Sequence, residues 1–371
     1  MKEWKEVALT DICTSIDYGY TASSNDVPVG PQFLRITDIA TGRVDWKNVP
    51  YCEINSSDRE KYKLFVGDIV IARTGASTGA TYIIKQSDPE DLVFASYLIR
   101  YRINNNIAVP SFVGALLTST IWKNYVDGIV GGSAQPGANA KVLGAFSFAL
   151  PPLAEQRAIA AVLSSLDDKI DLLHRQNATL EAMAEALFRQ WFVVEAKEEW
   201  EEKRLGDFFP VKTGKKDANY SVGNGEYPFF TCSKQMLFAP GYSFDGSAIL
   251  LAGNGDFNVK RYSGKFEAYQ RTYVLIPNDS KFYNFLYIVI KYFLTEITEG
   301  HRGSVINFIT KGMIEDFTIL LPNEDITTKL IQFDRLYSKF DANTTQIRTL
   351  EKLRDTLLPK LMSGEVRVDM A

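Results

Sequence analysis

The sequence is poor in the residues that most often carry chemistry in a protein site. Its 371 residues include three cysteines and two histidines. Cys13, Cys52 and Cys232 lie far apart and form no CxxC pair, so neither a disulfide framework nor a zinc site is expected, and a reducing compartment is indicated. The two histidines, His174 and His301, are also distant in sequence. We therefore expect no metal and no histidine base.

Long apolar runs are missing as well. No stretch of about 18 apolar residues occurs, and the first residues, MKEWKEVALTD, contain no apolar signal segment. The densest apolar stretch, residues 282–294, is interrupted by Asn284 and Lys291 and predicts a buried helix. The expectation is a soluble, cytoplasmic chain with no membrane partner.

An excess of positive charge is absent too. Lys and Arg number 41 against 45 Asp and Glu, which gives a net charge of -4. This balance argues mildly against nucleic-acid binding. However, the acidic excess is concentrated in residues 153–195, and the flanking blocks are close to balanced. Each block can therefore still present a basic face.

The chain contains an internal repeat. The segment LPPLAEQRAIAAVLSSLDDKID begins at Leu150, and a weaker copy, LLPNEDITTKLIQFDRLYSKFD, begins at Leu320. An offset of 170 residues aligns Asp171 with Asp341 and Leu180 with Leu350. The blocks before these segments also correspond. The matched positions are Trp4, Leu9 and Asp11 with Trp200, Leu205 and Asp207, and GDIVIARTG at Gly67 with GSAILLAGNG at Gly246. The predicted order is a domain at 1–150, a helix at 151–195, a domain at 196–321 and a helix at 322–371.

Both helical segments carry apolar residues at alternating steps of three and four, which is a heptad seam. Each seam includes one asparagine, Asn177 in the first and Asn343 in the second. A seam of roughly 36 residues corresponds to about 54 Å of helix, more than one small domain covers. We therefore expect an α/β (α+β) fold with two globular domains in a pseudo-two-fold arrangement, joined by two long antiparallel coiled-coil helices. The alternative is two amphipathic helices that each pack on their own domain.

The helical segments resemble a known family. LPPLAEQRAIAAVLSSLDDKI, LEAMAEALFRQWF and the C-terminal LRDTLLPKLMSGEVRV are similar to the conserved regions of the specificity (S) subunit of type I DNA restriction-modification systems. The resemblance implies two target-recognition domains, no catalytic activity and no cofactor. It also implies three kinds of partner: double-stranded DNA, two modification subunits and, in the full complex, restriction subunits. The sequence agrees, since it lacks a GxxxxGK[ST] phosphate loop and an Asn-Pro-Pro-aromatic methyltransferase motif.

Polar and basic residues on predicted turns are the candidate DNA contacts, because loops on a rigid scaffold carry base-reading side chains. Arg35 and Arg73 suit guanine, and Gln135 and Asn139 suit adenine. Hydroxyl and lysine side chains suit phosphate oxygens. The first block contributes Tyr18, Tyr20, Arg35, Thr37, Arg73, Thr74, Ser77, Thr78, Ser133, Gln135, Asn139 and Lys141. The second contributes Lys212, Lys215, Lys216, Ser233, Lys234, Asn258, Lys260, Arg261, Gln270, Arg271, His301, Arg302 and Ser304.

The first helix carries more apolar residues than one seam needs. The surplus side chains are expected to receive helices of the modification subunits. They are Val162, Leu172, Met183, Phe188 and Phe192. The complete expectation is a bipartite, asymmetric target whose half-sites lie about 10 bp apart, with the gap set by helix length. A scaffold protein that presents two ligand-binding domains on a helical rod, without DNA, is the alternative function.

Overall fold

A computed structural model of the chain describes residues 4–130, 137–298 and 308–368. The chain divides into two compact units. Unit 1 comprises Met1–Leu172 and Ile347–Ala371, and unit 2 comprises Leu173–Gln346. Each unit combines a mixed block of strands and short helices with part of both long helices. The predicted α/β (α+β) class with two domains is confirmed. No helix among the described residues is long and apolar enough to cross a membrane.

The strands of unit 1 are β1 (Lys5–Ala8), β2 (Cys13–Tyr18), β3 (Gln32–Leu34), β4 (Ile69–Ala72), β5 (Thr81–Ile83), β6 (Leu92–Phe94), β7 (Leu98–Ile103) and β8 (Ser147–Leu150). Its short helices are α1 (Ile36–Ile39), α2 (Ser56–Tyr62), α3 (Pro110–Leu116), α4 (Thr120–Val130) and α5 (Ala140–Gly144). Strands β2, β7, β4 and β5 form an antiparallel sheet in that order, β1 pairs with β8, and β3 runs parallel to β6.

The central strand of unit 1, β4, is buried on both faces. Its side chains alternate between two apolar clusters, because successive residues of a strand point to opposite faces. Ile69 and Ile71 pack with the cluster that includes α3 and the long helices, whereas Val70 and Ala72 pack on the other side. The continuous apolar run of β4 is explained by this two-sided burial.

The strands of unit 2 are β9 (Glu201–Arg204), β10 (Val211–Thr213), β11 (Tyr227–Phe230), β12 (Leu237–Ala239), β13 (Phe244–Ala252), β14 (Val259–Ala268), β15 (Thr272–Leu275) and β16 (Thr318–Leu321). Its short helices are α7 (Tyr283–Tyr292), α8 (Leu294–Thr298) and α9 (Lys311–Glu315). The main sheet has the order β10-β15-β13-β14-β11-β12, and β9 pairs with β16. The apolar stretch that predicted a buried helix forms α7.

The internal repeat is visible in the strand order. The strand order β2-β7-β4-β5 of unit 1 has the counterpart β10-β15-β13-β14 in unit 2. The pair of β1 and β8 corresponds to the pair of β9 and β16. The matched aspartates have the same local role. Asp11 accepts a hydrogen bond from the backbone N–H of Ala8 (2.9 Å), and Asp207 accepts one from that of Arg204 (3.1 Å).

The long helices are α6 (Leu153–Phe188), which continues into a π-helical turn at Arg189–Val194, and α10 (Thr327–Ser363). They are antiparallel within each unit. In unit 1, Asp167 pairs with Arg354 at 3.0 Å, and Glu155 lies 4.0 Å from Arg367. In unit 2, Asn343 donates a hydrogen bond to Asn177, and Trp191 of the π-helical turn packs on Phe333.

Candidate nucleic-acid interface

One edge of the unit 1 sheet gathers several of the predicted DNA contacts. The ends of β2 and β4 and the start of β7 meet there because these neighbouring strands are antiparallel. Backbone hydrogen bonds tie the segments together: Gly19 N–H donates to Leu98 (3.2 Å), and Arg73 N–H donates to Tyr97 (3.0 Å). We call this edge 1; it consists of residues 18–20, 73–74, 95–97 and 137–141.

The side chain of Arg73 is held in place on edge 1. Its guanidinium lies 5.1 Å from the centre of the Tyr18 ring, and its Nε donates to the carbonyl of Ser96 (3.2 Å). The Tyr18 hydroxyl in turn accepts a hydrogen bond from the backbone of Ala140 (3.1 Å). Neither Nη atom of Arg73 makes a hydrogen bond to any residue in the described ranges. Arg73 therefore combines a fixed orientation with donors suited to a guanine edge.

Three of the other predicted contacts on edge 1 have structural roles, and one is simply exposed. Thr74 forms a backbone bridge with Gly137. Asn139 caps α5, since its side-chain oxygen accepts from Val142 N–H (2.9 Å). Tyr20 is half-buried and packs on Tyr62. Lys141 is exposed on α5.

The remaining predicted contacts of unit 1 are not part of edge 1, and two of them lie outside the described ranges. Ser77 and Thr78 are in the turn between β4 and β5, and Thr37 is exposed on α1. Arg35 follows β3 and forms two side-chain hydrogen bonds to Asp38, which raise the pKa of Arg35 above its usual value. Its donors are therefore partly occupied. Ser133 and Gln135 lie outside the described residues.

Unit 2 has an equivalent edge. Gly214 N–H donates to Thr272 (3.1 Å), and Gly253 N–H donates to Arg271 (2.9 Å). We call this edge 2; it consists of residues 213–216, 253–254, 269–271 and 308–310. Strand registers and backbone bonds match its positions to edge 1. The matched pairs are Tyr18 with Thr213, Arg73 with Gly253, Thr74 with Asn254, Tyr97 with Arg271, and Asn139 with Thr310.

The chemistry at matched positions differs between the two edges. Arg73 is replaced by Gly253, where a Cβ would lie 2.6 Å from the carbonyl oxygen of Arg271 and 3.0 Å from the Tyr273 ring. No side chain fits there without a shift. The exposed arginine of edge 2 is Arg271, whose counterpart is the exposed Tyr97. Tyr97 was not among the sequence-based candidates, since only the strand register identifies it as the counterpart of Arg271.

Edge 2 and its surroundings carry several lysines. Lys212, Lys215 and Gln270 are exposed, and Lys216 lies over the ring of Tyr220 at 4.4 Å. Near the edge, Ser233 is exposed and Lys234 pairs with Asp256 at 3.1 Å.

Two further candidates make internal hydrogen bonds. Asn258 donates to the carbonyl of Cys232 (2.7 Å), and Lys260 donates to that of Thr231 (2.9 Å). Burial lowers the pKa of Lys260. His301, Arg302 and Ser304 lie outside the described residues.

Arg261 is enclosed within unit 2, and this placement argues against the DNA contact expected for it. Its side chain is 9% exposed and pairs with Asp341. Its guanidinium lies 4.3 Å from the Tyr337 ring centre and 5.3 Å from that of Phe340. It also donates to Asn284 (3.3 Å). With its donors committed inside the unit, Arg261 has a structural role, so we withdraw it from the candidate DNA contacts.

The surplus apolar residues of α6 fall into two groups. Leu172 and Met183 are exposed and Val162 is half-buried, as a docking surface requires. Phe188 and the following Phe192 are instead buried in the core of unit 2. They stack on each other with ring centres 5.6 Å apart and also contact Phe285 of α7. The expectation that these two phenylalanines receive partner helices is therefore corrected.

No cluster of three or more His, Cys, Asp or Glu side chains that could hold a metal ion occurs among the described residues. The burial of Cys13 raises its pKa to about 12, and burial also raises that of Cys52, to about 11. Neither thiol has the lowered pKa that marks a nucleophile.

Comparisons with known proteins agree along most of the chain. The family model of the type I restriction modification DNA specificity domain matches residues 1–182 and 197–352. The type I restriction enzyme EcoDI specificity subunit of Escherichia coli is 39% identical over 173 residues, which are 45% of this chain and 39% of that protein. The putative type I restriction enzyme MjaX specificity subunit of Methanocaldococcus jannaschii is 25% identical over 406 residues, and the match covers 99% of this chain and 94% of that protein.

A solved structure supports the fold. The crystal structure of a type I restriction-modification S subunit from M. genitalium has a TM-score of 0.59 and 17% identity, covering 97% of this chain and 96% of that one. Because the family model matches both repeats, the chain belongs to the family of type I restriction-modification DNA specificity subunits, which are non-catalytic DNA-recognition subunits.

Proposed function

We propose that this chain reads a bipartite, asymmetric DNA target, with edge 1 reading one half-site and edge 2 the other. The observation that carries the proposal is the difference in side chains at matched positions of two similar scaffolds. Gly253 is the counterpart of Arg73, and Arg271 is the counterpart of Tyr97. Similar scaffolds with different donors select different bases.

The proposed division of labour follows from side-chain chemistry. Arg73 and Arg271 supply guanidinium donors that match the O6 and N7 acceptors of guanine. Lys141, Lys215 and Lys216 supply charge for phosphate oxygens, which positions the protein without selecting a sequence. This local positive charge explains how a chain of net charge -4 can bind DNA.

A pair of substitutions tests the proposal. Each of Arg73→Gln and Arg271→Gln is introduced into cells that lack the natural chain but carry its modification subunit, and methylated positions are sequenced. We expect R73Q to relax one half-site and R271Q to relax only the other, with discrimination at one base pair reduced about 10- to 100-fold. If both half-sites change together in each variant, the assignment of one edge to each half-site is wrong.

We also propose that the long helices carry docking surfaces for partner subunits. Met183 is 48% exposed on α6, and the offset of 170 residues matches it to Leu353, which is 44% exposed on α10. Equivalent exposed apolar residues on two repeats suit two copies of one partner, and we assign that role to the modification subunits. Restriction subunits join in the full complex. The competing function, a scaffold for other ligands, predicts no retention on genomic DNA even at low salt, where a DNA reader binds most tightly.

A further inference from the structure

The two long helices carry repeat-equivalent carboxylates that bind cations from the strand blocks. Asp171 on α6 accepts from Lys85 Nζ at 2.8 Å and lies 3.6 Å from Arg43 Nε. Asp341, its counterpart at an offset of 170 residues, accepts from Arg261 Nη1 at 3.1 Å. Both units therefore join strand block to helix by an ion pair at the same place in the repeat.

The surroundings of the two ion pairs differ. The Arg261 side chain is enclosed by the rings of Tyr287, Tyr337 and Phe340. In contrast, Lys85 and Asp171 are 36% and 34% exposed and line a groove of about 1180 Å³ within unit 1. On one wall of the groove are strand-block residues, and on the other are residues of α6 and α10. The ion pair in unit 1 thus bridges two walls of an open groove.

The apolar attachment of the unit 1 strand block lies at another level of the helices, before Asp171 in α6. Ile159 and Leu163 of α6 and Leu358 and Leu361 of α10 belong to the core shared with the strand block. Asp171 is eight residues beyond Leu163, which is about 12 Å of helix. The strand block is therefore fixed to the helices by apolar packing in one region and by the Asp171 ion pairs in another.

The groove reaches the turn that leaves edge 1 after Thr74. Its lining includes Ser77, Thr78 and Gly79 of the turn that follows Arg73. Strand β5, which leads to Lys85, pairs directly with β4, which ends beside Arg73. A change in the width of the groove would therefore carry the Arg73 turn with it, since sheet and turn move together.

We propose that Asp171 is a positioning residue: through Lys85 and Arg43 it holds the tilt of the unit 1 strand block on its helices, and this tilt determines the target gap that the protein accepts. The second part rests on the proposed function. A part-exposed ion pair is weak and screened by salt. Gap discrimination should therefore relax as ionic strength rises, through unit 1 rather than through the enclosed pair of unit 2.

The first test measures the tilt without DNA. Spin labels are placed at Gln86 beside the ion pair and at Ser165 on α6, as Q86C and S165C in a Cys232→Ser background. Cys13 and Cys52 are poor targets for labelling, because burial raises their pKa to about 12 and about 11. We expect Asp171→Asn to broaden the distance distribution and shift it to longer distances. Asp168→Asn removes the same charge from the same groove without an ion pair among the described residues, and should match the parent.

A double-mutant comparison shows whether Asp171 acts through Lys85. K85Q alone should broaden the distribution, and K85Q with D171N should broaden it little more than D171N does. An unchanged distribution in D171N, or effects of K85Q and D171N that simply add, would overturn the claim that Asp171 holds the tilt through Lys85.

The second test measures gap discrimination. The complex with modification subunits is offered DNA with the natural gap or a gap altered by one base pair. We expect D171N to reduce the preference for the natural gap about two- to fivefold, the size of effect for a part-exposed ion pair, with both half-site sequences unchanged. A broadened distance distribution with an unaltered gap preference would show that Asp171 holds the tilt but would refute the claim that the tilt determines the accepted gap. If the parent complex itself does not bind DNA, the proposed function fails, whereas the distance measurement still tests whether Asp171 holds the tilt of the strand block.

Discussion

Asn343 donates a hydrogen bond from Nδ2 to Oδ1 of Asn177 at 3.0 Å, and both side chains are buried between α10 and α6 within unit 2. Asn177 in turn donates to the hydroxyl of Thr344 (3.2 Å). Each asparagine lies on its own heptad seam, so the two helices pair at a level where both seams are polar. A shift in register would bury each amide against apolar residues, which explains how the pair defines the alignment.

The asparagine pair gives a stability prediction. Asn343→Ala removes the donor to Asn177 and should lower the free energy of unfolding by about 1–3 kcal/mol, because a buried acceptor loses its partner. The double variant N177L/N343L removes both polar groups and should be at least as stable as the parent. Urea unfolding followed by circular dichroism measures both, with the exposed Gln346→Ala as control. An Asn343→Ala variant as stable as the double variant would contradict the explanation.

The enclosed and exposed ion pairs should respond differently to loss of their cations. Arg261→Gln removes ring contacts as well as the pair with Asp341, and should destabilise unit 2 by about 1–3 kcal/mol. Lys85→Gln removes only a part-exposed pair and should cost at most about 1 kcal/mol. Limited proteolysis with mass spectrometry reports on each unit separately. Equal protease resistance of the two variants would show that the rings around Arg261 contribute nothing.

Gly19 in edge 1 has no room for a side chain. A Cβ there would lie 2.2 Å from the carbonyl oxygen of Ala95, and one at the matched Gly214 would lie 2.1 Å from that of Ala268. Gly19→Ala should therefore cost about 1–3 kcal/mol through overpacking and impair reading of the edge 1 half-site alone. The control is Gly128→Ala in α4, where a Cβ would have open space. Thermal unfolding and methylated-site sequencing measure the two effects, and a G19A variant that leaves both half-sites intact would contradict the prediction.

Exposed and buried apolar residues of the helices should respond differently to an introduced charge. Met183→Glu and Leu353→Glu should each reduce co-purification of the modification subunit without lowering the melting temperature, since both side chains face solvent in the isolated chain. Phe188→Glu should instead unfold unit 2, because it buries a charge in a packed aromatic cluster. Pull-down with a tagged modification subunit, beside a thermal melt, distinguishes these outcomes. Full retention of the partner by the Met183 and Leu353 double variant would refute this surface.

The sequence by itself determined the repeat, the long helices and their polar seam positions. These features are local. Heptad spacing, the matching residues Trp4 and Trp200 at the starts of the two blocks, and the apolar run of β4 can each be recognised in a short stretch of chain. Arg73 could be singled out for the same reason, as an arginine in a glycine-rich turn after a buried strand. The strand order and the edges that it creates involve pairings between distant segments, which no local pattern specifies.

Tertiary structure alone decided which side chains remain available. Arg261 and Arg271 are both arginines in polar stretches of sequence, yet one is enclosed by aromatic rings and the other is exposed at the strand end. Phe188 and Met183 lie on one helix, and only packing against α7 buries the first and leaves the second in solvent. Strand register also matched Tyr97 to Arg271. The physical reason is common to all three: the direction of a side chain depends on what packs against its element, and those partners come from elsewhere in the chain.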